Sequence, residues 1–167
     1  LKGLGVAFTA VGGAGLLMVD SARKMNSQLG QTALTIGAST KEMRELALST
    51  TDVTFPLNSV ISTFDLLSKA GVDNTGDMKA AAKAFDTLAD ATGGTAEGIA
   101  ASLIPAFKVF GLEMPKSTEE LDKFTWLTKN TTVNVDDFAS AMNFVAKAGM
   151  GSKVSMEDMV SIMAALE

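Results

Sequence analysis

Two adjacent acidic pairs come closest to a chemical site in residue type and spacing. Glu119-Glu120 and Asp136-Asp137 offer the paired carboxylates that acid–base catalysis uses, or that bind a hard cation such as Ca²⁺. Each pair also falls in the predicted first turn of a helix, where the helix dipole stabilises negative charge. We interpret both pairs as helix-start residues and predict no catalytic role for them.

Two further groupings contain reactive side-chain types. Residues 73–77, Asp-Asn-Thr-Gly-Asp, match part of a calcium-binding loop but lack its alternating third ligand and its closing bidentate Glu. We expect this segment to cap the helix that begins near Asp77. Ser68 and Lys69 are a possible nucleophile–base pair, an alternative that the sequence leaves open, although adjacent residues point to different sides of a helix.

Histidine, cysteine and tyrosine are absent from the 167 residues. Their absence excludes disulfides, thiolate or imidazole metal ligands and His-based catalytic triads. A net charge of −5 is unfavourable for a nucleic-acid surface. We predict that the chain is not an enzyme, with no catalytic, cofactor-binding or metal-binding residues, no cofactor and no specific nucleic-acid binding. A packing or assembly role remains.

The elements that position these residues are predicted to be helices. Capping sequences such as Ser39 to Glu42 precede the apolar-periodic stretches, and glycines such as Gly93 follow them. Pro105 is expected to kink its helix, or to split it near Leu103. Residues 131–135 alternate as a strand does but are too few to found a sheet. The predicted helices span 1–36, 40–50, 57–70, 76–92, 95–110, 118–129, 135–148 and 156–167.

The fold class that follows is all-α. We predict a compact bundle of about six to eight short helices, preceded by a longer apolar N-terminal helix. Residues 1–36 form that helix in this division, and residues 37–167 form the helical domain. Residues 51–88 and 129–166 match at an offset of 78, which indicates either a duplicated helical hairpin or the features that any two amphipathic hairpins share.

Residues 3–19 carry no charge and are rich in glycine. As a helix they extend for roughly 26 Å, which is at the lower limit for crossing a bilayer. Three interpretations stay open: a helix packed against protein, a segment that inserts in a membrane, and a glycine-rich loop. A dinucleotide-binding loop does not fit, because Met18 stands where its third glycine is required. A cleaved signal peptide does not fit either, because a basic start is missing.

Ten methionines and one tryptophan complete the candidate residues. Met156, Met159 and Met163 have helical spacing, which is typical of a core stripe and, less often, of an adaptable docking face. We predict that Trp126 anchors the core. The chain begins at Leu1, and its last apolar stretch runs to its end without a helix stop, so we expect it to be a segment of a longer protein.

The order of these elements resembles the conserved helical region of phage tail tape measure proteins. The likeness covers residues 39–167 and rests on a capped helix, a Thr-Phe step, a helix that ends in Ala-Gly, and further helix ends in a fixed order. Pro56, Pro105 and Trp126 depart from the family pattern. The matching segments are Ser39 to Leu48, Thr54-Phe55, Leu66 to Gly71, Leu88 to Gly93, Phe110 to Leu112, Val133 to Ala141, Val145-Ala146 and Ser155 to Leu166.

The resemblance implies a virion structural protein. Such a protein sets tail length during tail assembly, occupies the tail lumen or tail tip, and assists DNA ejection through the host envelope. Its expected partners are other tail proteins of the tube and the distal tip, copies of itself, and the host membrane during infection. The family has no catalytic residues in this region. The alternative that the residues leave open is a membrane-active helical module, pore-forming or toxin-like, with a transmembrane helix near its N-terminus.

Overall fold

The computed structural model describes residues 14–111, 114, 117–131, 133–147 and 155–165. This part of the chain is all-α and contains no strand, which confirms the predicted fold class. Its helices are α1 (Ala14–Ile36), α2 (Thr40–Thr50), α3 (Leu57–Lys69), α4 (Thr75–Thr92), α5 (Ala96–Val109), α6 (Ser117–Asn130), α7 (Val135–Lys147) and α8 (Met156–Ala165).

A long apolar N-terminal helix is not seen in the described residues. Most of the uncharged stretch 3–19 precedes Ala14 and lies outside them. The described α1 mixes polar and apolar residues, and Leu29 and Ala33 bury its inner side against the core. No described helix is both long and apolar enough to cross a lipid bilayer.

Local capping chemistry fixes where the helices begin and end. Ser39 and Glu42 form the predicted capping box: the Ser39 hydroxyl accepts from Glu42 N at 3.1 Å, and Ser39 N donates to Glu42 Oε2 at 2.8 Å. At the end of α4, Gly93 adopts φ 73°, a left-handed conformation that glycine tolerates without steric cost. These contacts involve neighbours in sequence, which is why the pattern of residues predicts them.

Two local predictions differ from the structure. Helix α5 runs through Pro105 without being split, and the proline ring lies on its exposed side. Residues 131–135 do not form a strand: Val135 begins α7, and the described residues before it form a loop. Asn134 caps α7 by accepting from Asp137 N at 2.9 Å, so this segment starts a helix instead of extending.

The helices form a two-layer stack. The odd-numbered helices pack in the order α1, α3, α5, α7, and the even-numbered helices pack in the order α2, α4, α6, α8. The two layers are joined where α1 meets α2, α3 meets α4, and α2 and α4 meet the helix that follows each. We call α1–α2, α3–α4, α5–α6 and α7–α8 the four helix pairs. The principal contacts join adjacent helix pairs, as in helical repeat proteins.

A constant spacing underlies this stack. Helices α3, α5 and α7 begin at Leu57, Ala96 and Val135, so successive starts are 39 residues apart. Helices α6 and α8 begin at Ser117 and Met156, which are also 39 residues apart. The predicted hairpins 51–88 and 129–166 therefore have a third helix pair midway between them. Duplication of those two hairpins remains a prediction.

The core lies between the two layers and is rich in phenylalanine. Phe124 of the even layer contacts two rings of the odd layer: its ring centroid lies 6.0 Å from that of Phe107, and it meets the ring of Phe138 edge to face. All three rings are fully buried. Phe124 thus links the last two helix pairs through α5 and α7.

Candidate functional site

The densest charged grouping in the described residues lies between α4 and the loop that joins α2 to α3. It contains three carboxylates and one ammonium group: Asp52 from the loop, and Lys83, Asp86 and Asp90 from α4. We call it the carboxylate cluster. The spacing of its three α4 members places them along one side of that helix.

Asp52 is the most highly bonded member of the carboxylate cluster. Its Oδ1 accepts from Thr54 N at 3.1 Å and from Phe55 N at 2.9 Å, which folds the loop into a tight turn. Its Oδ2 accepts from Lys83 Nζ at 2.7 Å. Thr54 Oγ1 lies 3.3 Å from Asp90 Oδ2, so the loop is attached to α4 at two points.

The carboxylates of the cluster differ strongly in acidity. The hydrogen bond from Lys83, with the backbone donor of Phe55, lowers the pKa of Asp52 to about 2. Burial, with the negative charges of Asp52 and Asp90, raises the pKa of Asp86 to about 6, and Lys83 offsets only part of that rise. Asp86 is 7% exposed. The cluster therefore holds a carboxyl group that titrates near neutral pH.

The chemistry available to the carboxylate cluster is attachment. Throughout the described residues, no three carboxylates converge closely enough to hold a metal ion. Asp52 already accepts from a lysine and two backbone donors, which engages both of its oxygens. The arrangement fixes the loop against α4 and makes that attachment sensitive to the charge on Asp86.

The residues first considered for chemistry serve the helices. Asn74 caps α4 by accepting from Asp77 N at 2.9 Å, as predicted for the segment that resembles a calcium loop. Asp136 and Asp137 lie in the first turn of α7, also as predicted. Glu119-Glu120 lies in the first turn of α6, and the side chains of this pair are outside the described part of the chain.

Ser68 and Lys69 are directed to different partners. The Ser68 hydroxyl donates to the carbonyl of Asp65 at 2.9 Å, and Lys69 Nζ donates to the carboxylate of Asp65 at 2.6 Å. The serine is buried and the lysine is exposed. The two side chains are therefore not joined as a nucleophile and its base.

The predicted core role of Trp126 is wrong. Its side chain is 57% exposed, whereas Phe124 and Leu127 on the same helix are fully buried. At about 100° per residue, a side chain two positions after Phe124 points to the other side of α6. Met159 is buried, as a core stripe requires; Met156 and Met163 have side chains outside the described part.

A recurring polar contact joins consecutive odd-numbered helices. The Ser59 hydroxyl of α3 donates to the carboxylate of Glu97 in the first turn of α5. The Ser102 hydroxyl of α5 lies 3.3 Å from Asp136 Oδ1 in the first turn of α7. In both cases a first-turn acid receives a hydroxyl from the preceding odd helix, so the acids at the helix starts also join the helix pairs.

Sequence reasoning missed the carboxylate cluster. The spacing of Lys83, Asp86 and Asp90 on a predicted helix could have indicated a shared charged side. Asp52 lies more than thirty residues earlier, and nothing in the local pattern brings it to that side. Comparisons of this chain with family models, with curated proteins and with solved structures found no match to any of them.

Proposed function

We propose that the chain is a structural, non-enzymatic segment of a phage tail tape measure protein. In this role it helps to set tail length, occupies the tail lumen or tip, and assists passage of DNA through the host envelope. The observation that carries the proposal is the stack of helix pairs at 39-residue spacing. Such a stack is made of surfaces that pack on one another, which suits a protein that fills space and contacts neighbours.

The resemblance adds the particular setting to this general role. Its matching segments include helix ends and connections of the stack, among them the turn at Thr54-Phe55 and the stop at Gly93. We infer that other tail proteins of the tube and distal tip, together with copies of this chain, are its partners. The uncharged residues 3–19 suit contact with the host membrane at ejection.

The experiment that tests this proposal changes the length of the chain in the phage that encodes it. Removing residues 96–134 deletes one 39-residue unit, so the tail is expected to become shorter. If that unit spans the lumen as helix, the loss is at most ~60 Å, at ~1.5 Å per residue. Tail length is measured by electron microscopy of purified virions.

The matched control is Phe124→Ala, which weakens the same unit without shortening the chain. Tails of normal length are expected with this substitution. Tails that keep their normal length after removal of residues 96–134 would contradict the ruler role. Tails that shorten equally with Phe124→Ala would show that folding, and not length, controls assembly.

The alternative function is a membrane-active helical module of the pore-forming or toxin kind. The uncharged stretch 3–19 is the observation that favours it. Leakage of a dye from anionic liposomes by the 167-residue chain, at neutral and at acid pH, would support this alternative. Chain lacking residues 1–19 is the control, and it is expected to cause no leakage under either function.

A further inference from the structure

We propose that two copies of this chain associate through the outer side of α7, with their two α7 helices antiparallel. The proposal rests on the packing of the odd-numbered layer and does not depend on the tail role. The evidence is the change in burial along equivalent positions of the stack, together with the distribution of charge along α7.

One position of the 39-residue spacing shows that α7 has an uncovered side. Leu67 in α3 and Ala106 in α5 occupy this position and are fully buried; both helices have an odd-numbered neighbour on each side. Val145 occupies it in α7, which has only α5 beside it in its layer among the described residues, and Val145 is half-buried. Burial at this position therefore accompanies a neighbour on both sides.

The uncovered side of α7 is apolar at its centre. Phe144, next to Val145, is 74% exposed, and Ala141, one turn earlier, is half-buried. A large exposed aromatic ring beside partly covered aliphatic groups is typical of the centre of a protein–protein contact. The residues that occupy the position of Phe144 in α3 and α5 are Leu66 and Pro105, so only α7 presents a ring there.

Charge along α7 favours a second copy of the same helix as the occupant. Asp136 and Asp137 lie in its first turn, and Lys147 is its last residue. In an antiparallel pair, the acidic start of one helix lies beside the basic end of the other, whereas a parallel pair would place the acidic starts together. Ser140, close to the middle of the helix, would lie near its twin, and the two phenylalanines would pack across the axis.

Sedimentation of the full 167-residue chain over a range of concentrations tests the association. A mass that rises from monomer to dimer is expected. Phe144→Glu is expected to weaken the dimer by at least about tenfold, since it places a charge at the centre of the contact. The matched control is Leu34→Glu on α1, where the leucine is 83% exposed and outside the proposed contact; this variant is expected to dimerise normally.

A cysteine test determines the orientation, and the absence of native cysteine makes it clean. Ser140→Cys is expected to form a disulfide-linked dimer on mild oxidation, because a two-fold axis near that residue brings the two thiols together. Thr87→Cys, on the exposed side of α4, is expected to remain monomeric on denaturing gels. A chain that stays monomeric at every concentration, a dimer unaffected by Phe144→Glu, or a dimer without the Ser140→Cys cross-link would each overturn the proposal.

Discussion

Lys83 Nζ of α4 lies 2.7 Å from Asp52 Oδ2 in the loop between α2 and α3. This ion pair acts on two carboxyl groups, because Lys83 lowers the pKa of its partner and also lowers that of Asp86. Replacement by methionine, as Lys83→Met, is therefore expected to raise the pKa of Asp52 from about 2 toward its ordinary value. The same change should raise the pKa of Asp86 above about 6.

Carboxyl carbon chemical shifts, followed by NMR from pH 2 to pH 8, measure both pKa values at once. Lys79→Met on the same helix is the control, since its ammonium group donates to the Ser49 hydroxyl at 3.1 Å and not to Asp52. An Asp52 that still titrates near pH 2 after Lys83→Met would contradict the role given to the ion pair.

Asp86 is expected to make the protein less stable as the pH rises through its range. Its pKa is about 6 when folded and near 3.8 as a model value, so the folded state binds more protons between these values. Its stabilising contribution is complete below about pH 4 and is lost by about pH 6 to 7. Asp86→Asn should remove this dependence and stabilise the fold at pH 7 by on the order of 2 kcal/mol.

Urea unfolding of the parent chain and of Asp86→Asn at pH 4 and at pH 7 measures this difference. Asp90→Asn is the matched control, because Asp90 is an exposed member of the same cluster. Equal stabilities of the parent chain and Asp86→Asn at both pH values would contradict the titration that we assign to Asp86.

Thr63→Val is expected to stabilise the protein. The Thr63 hydroxyl is buried in α3 and has no hydrogen-bond partner within the described structure. Valine has nearly the same shape, so the substitution removes a desolvated hydroxyl and opens no cavity; the expected gain is about 1 kcal/mol. Thermal unfolding should show a higher melting temperature. The control is Thr54→Val, which removes a hydroxyl that is bonded to Asp52 and Asp90 and should destabilise.

Phe124 and Phe144 are expected to respond oppositely to truncation. Phe124→Ala removes a fully buried ring that contacts Phe107 and Phe138, which should cost about 3–5 kcal/mol of unfolding free energy. Phe144→Ala removes an exposed ring and should change the stability of the monomer by no more than about 0.5 kcal/mol. Denaturant unfolding at low protein concentration, where self-association is negligible, compares them. Similar losses from the two variants would contradict the burial described here.

Gly93→Ala is expected to destabilise the end of α4. At φ 73°, an alanine side chain is strained whatever space surrounds it, and the expected cost is about 1 kcal/mol. Gly76→Ala is the matched control within the same helix, because Gly76 has ordinary helical backbone and a new Cβ there would lie 3.4 Å from Asn74 Oδ1. This control should be neutral or slightly stabilising. Unfolding free energies in which Gly93→Ala equals Gly76→Ala would count against the assigned cap.

The features that depend on neighbours in sequence were predictable. The capping box of Ser39 and Glu42, the stop at Gly93 and the helix starts at Leu57 and Val135 all follow from contacts within a few residues. Their physical basis is the unpaired backbone groups at helix ends, which nearby side chains must satisfy.

The features that depend on distant residues were not predictable. Whether Trp126 is buried depends on which side of α6 meets α4 and α8, and the helix pattern before folding does not settle that for one ring. The pairing of Asp52 with Lys83 has the same origin, because only the stacking of α2 and α4 brings them together. Pro105 shows a third case: on an exposed side, a proline is accommodated where a buried helix would be interrupted.

The principal helix contacts join only nearest neighbours along the stack, and this affects how the protein comes apart as well as how it folds. In a globular core, loss of one element disturbs most of the others. Here the terminal helices can peel away in succession while the rest keep their packing. A molecule with this property can be drawn lengthwise through a narrow opening, yielding to a pulling force in small steps and not in one cooperative collapse.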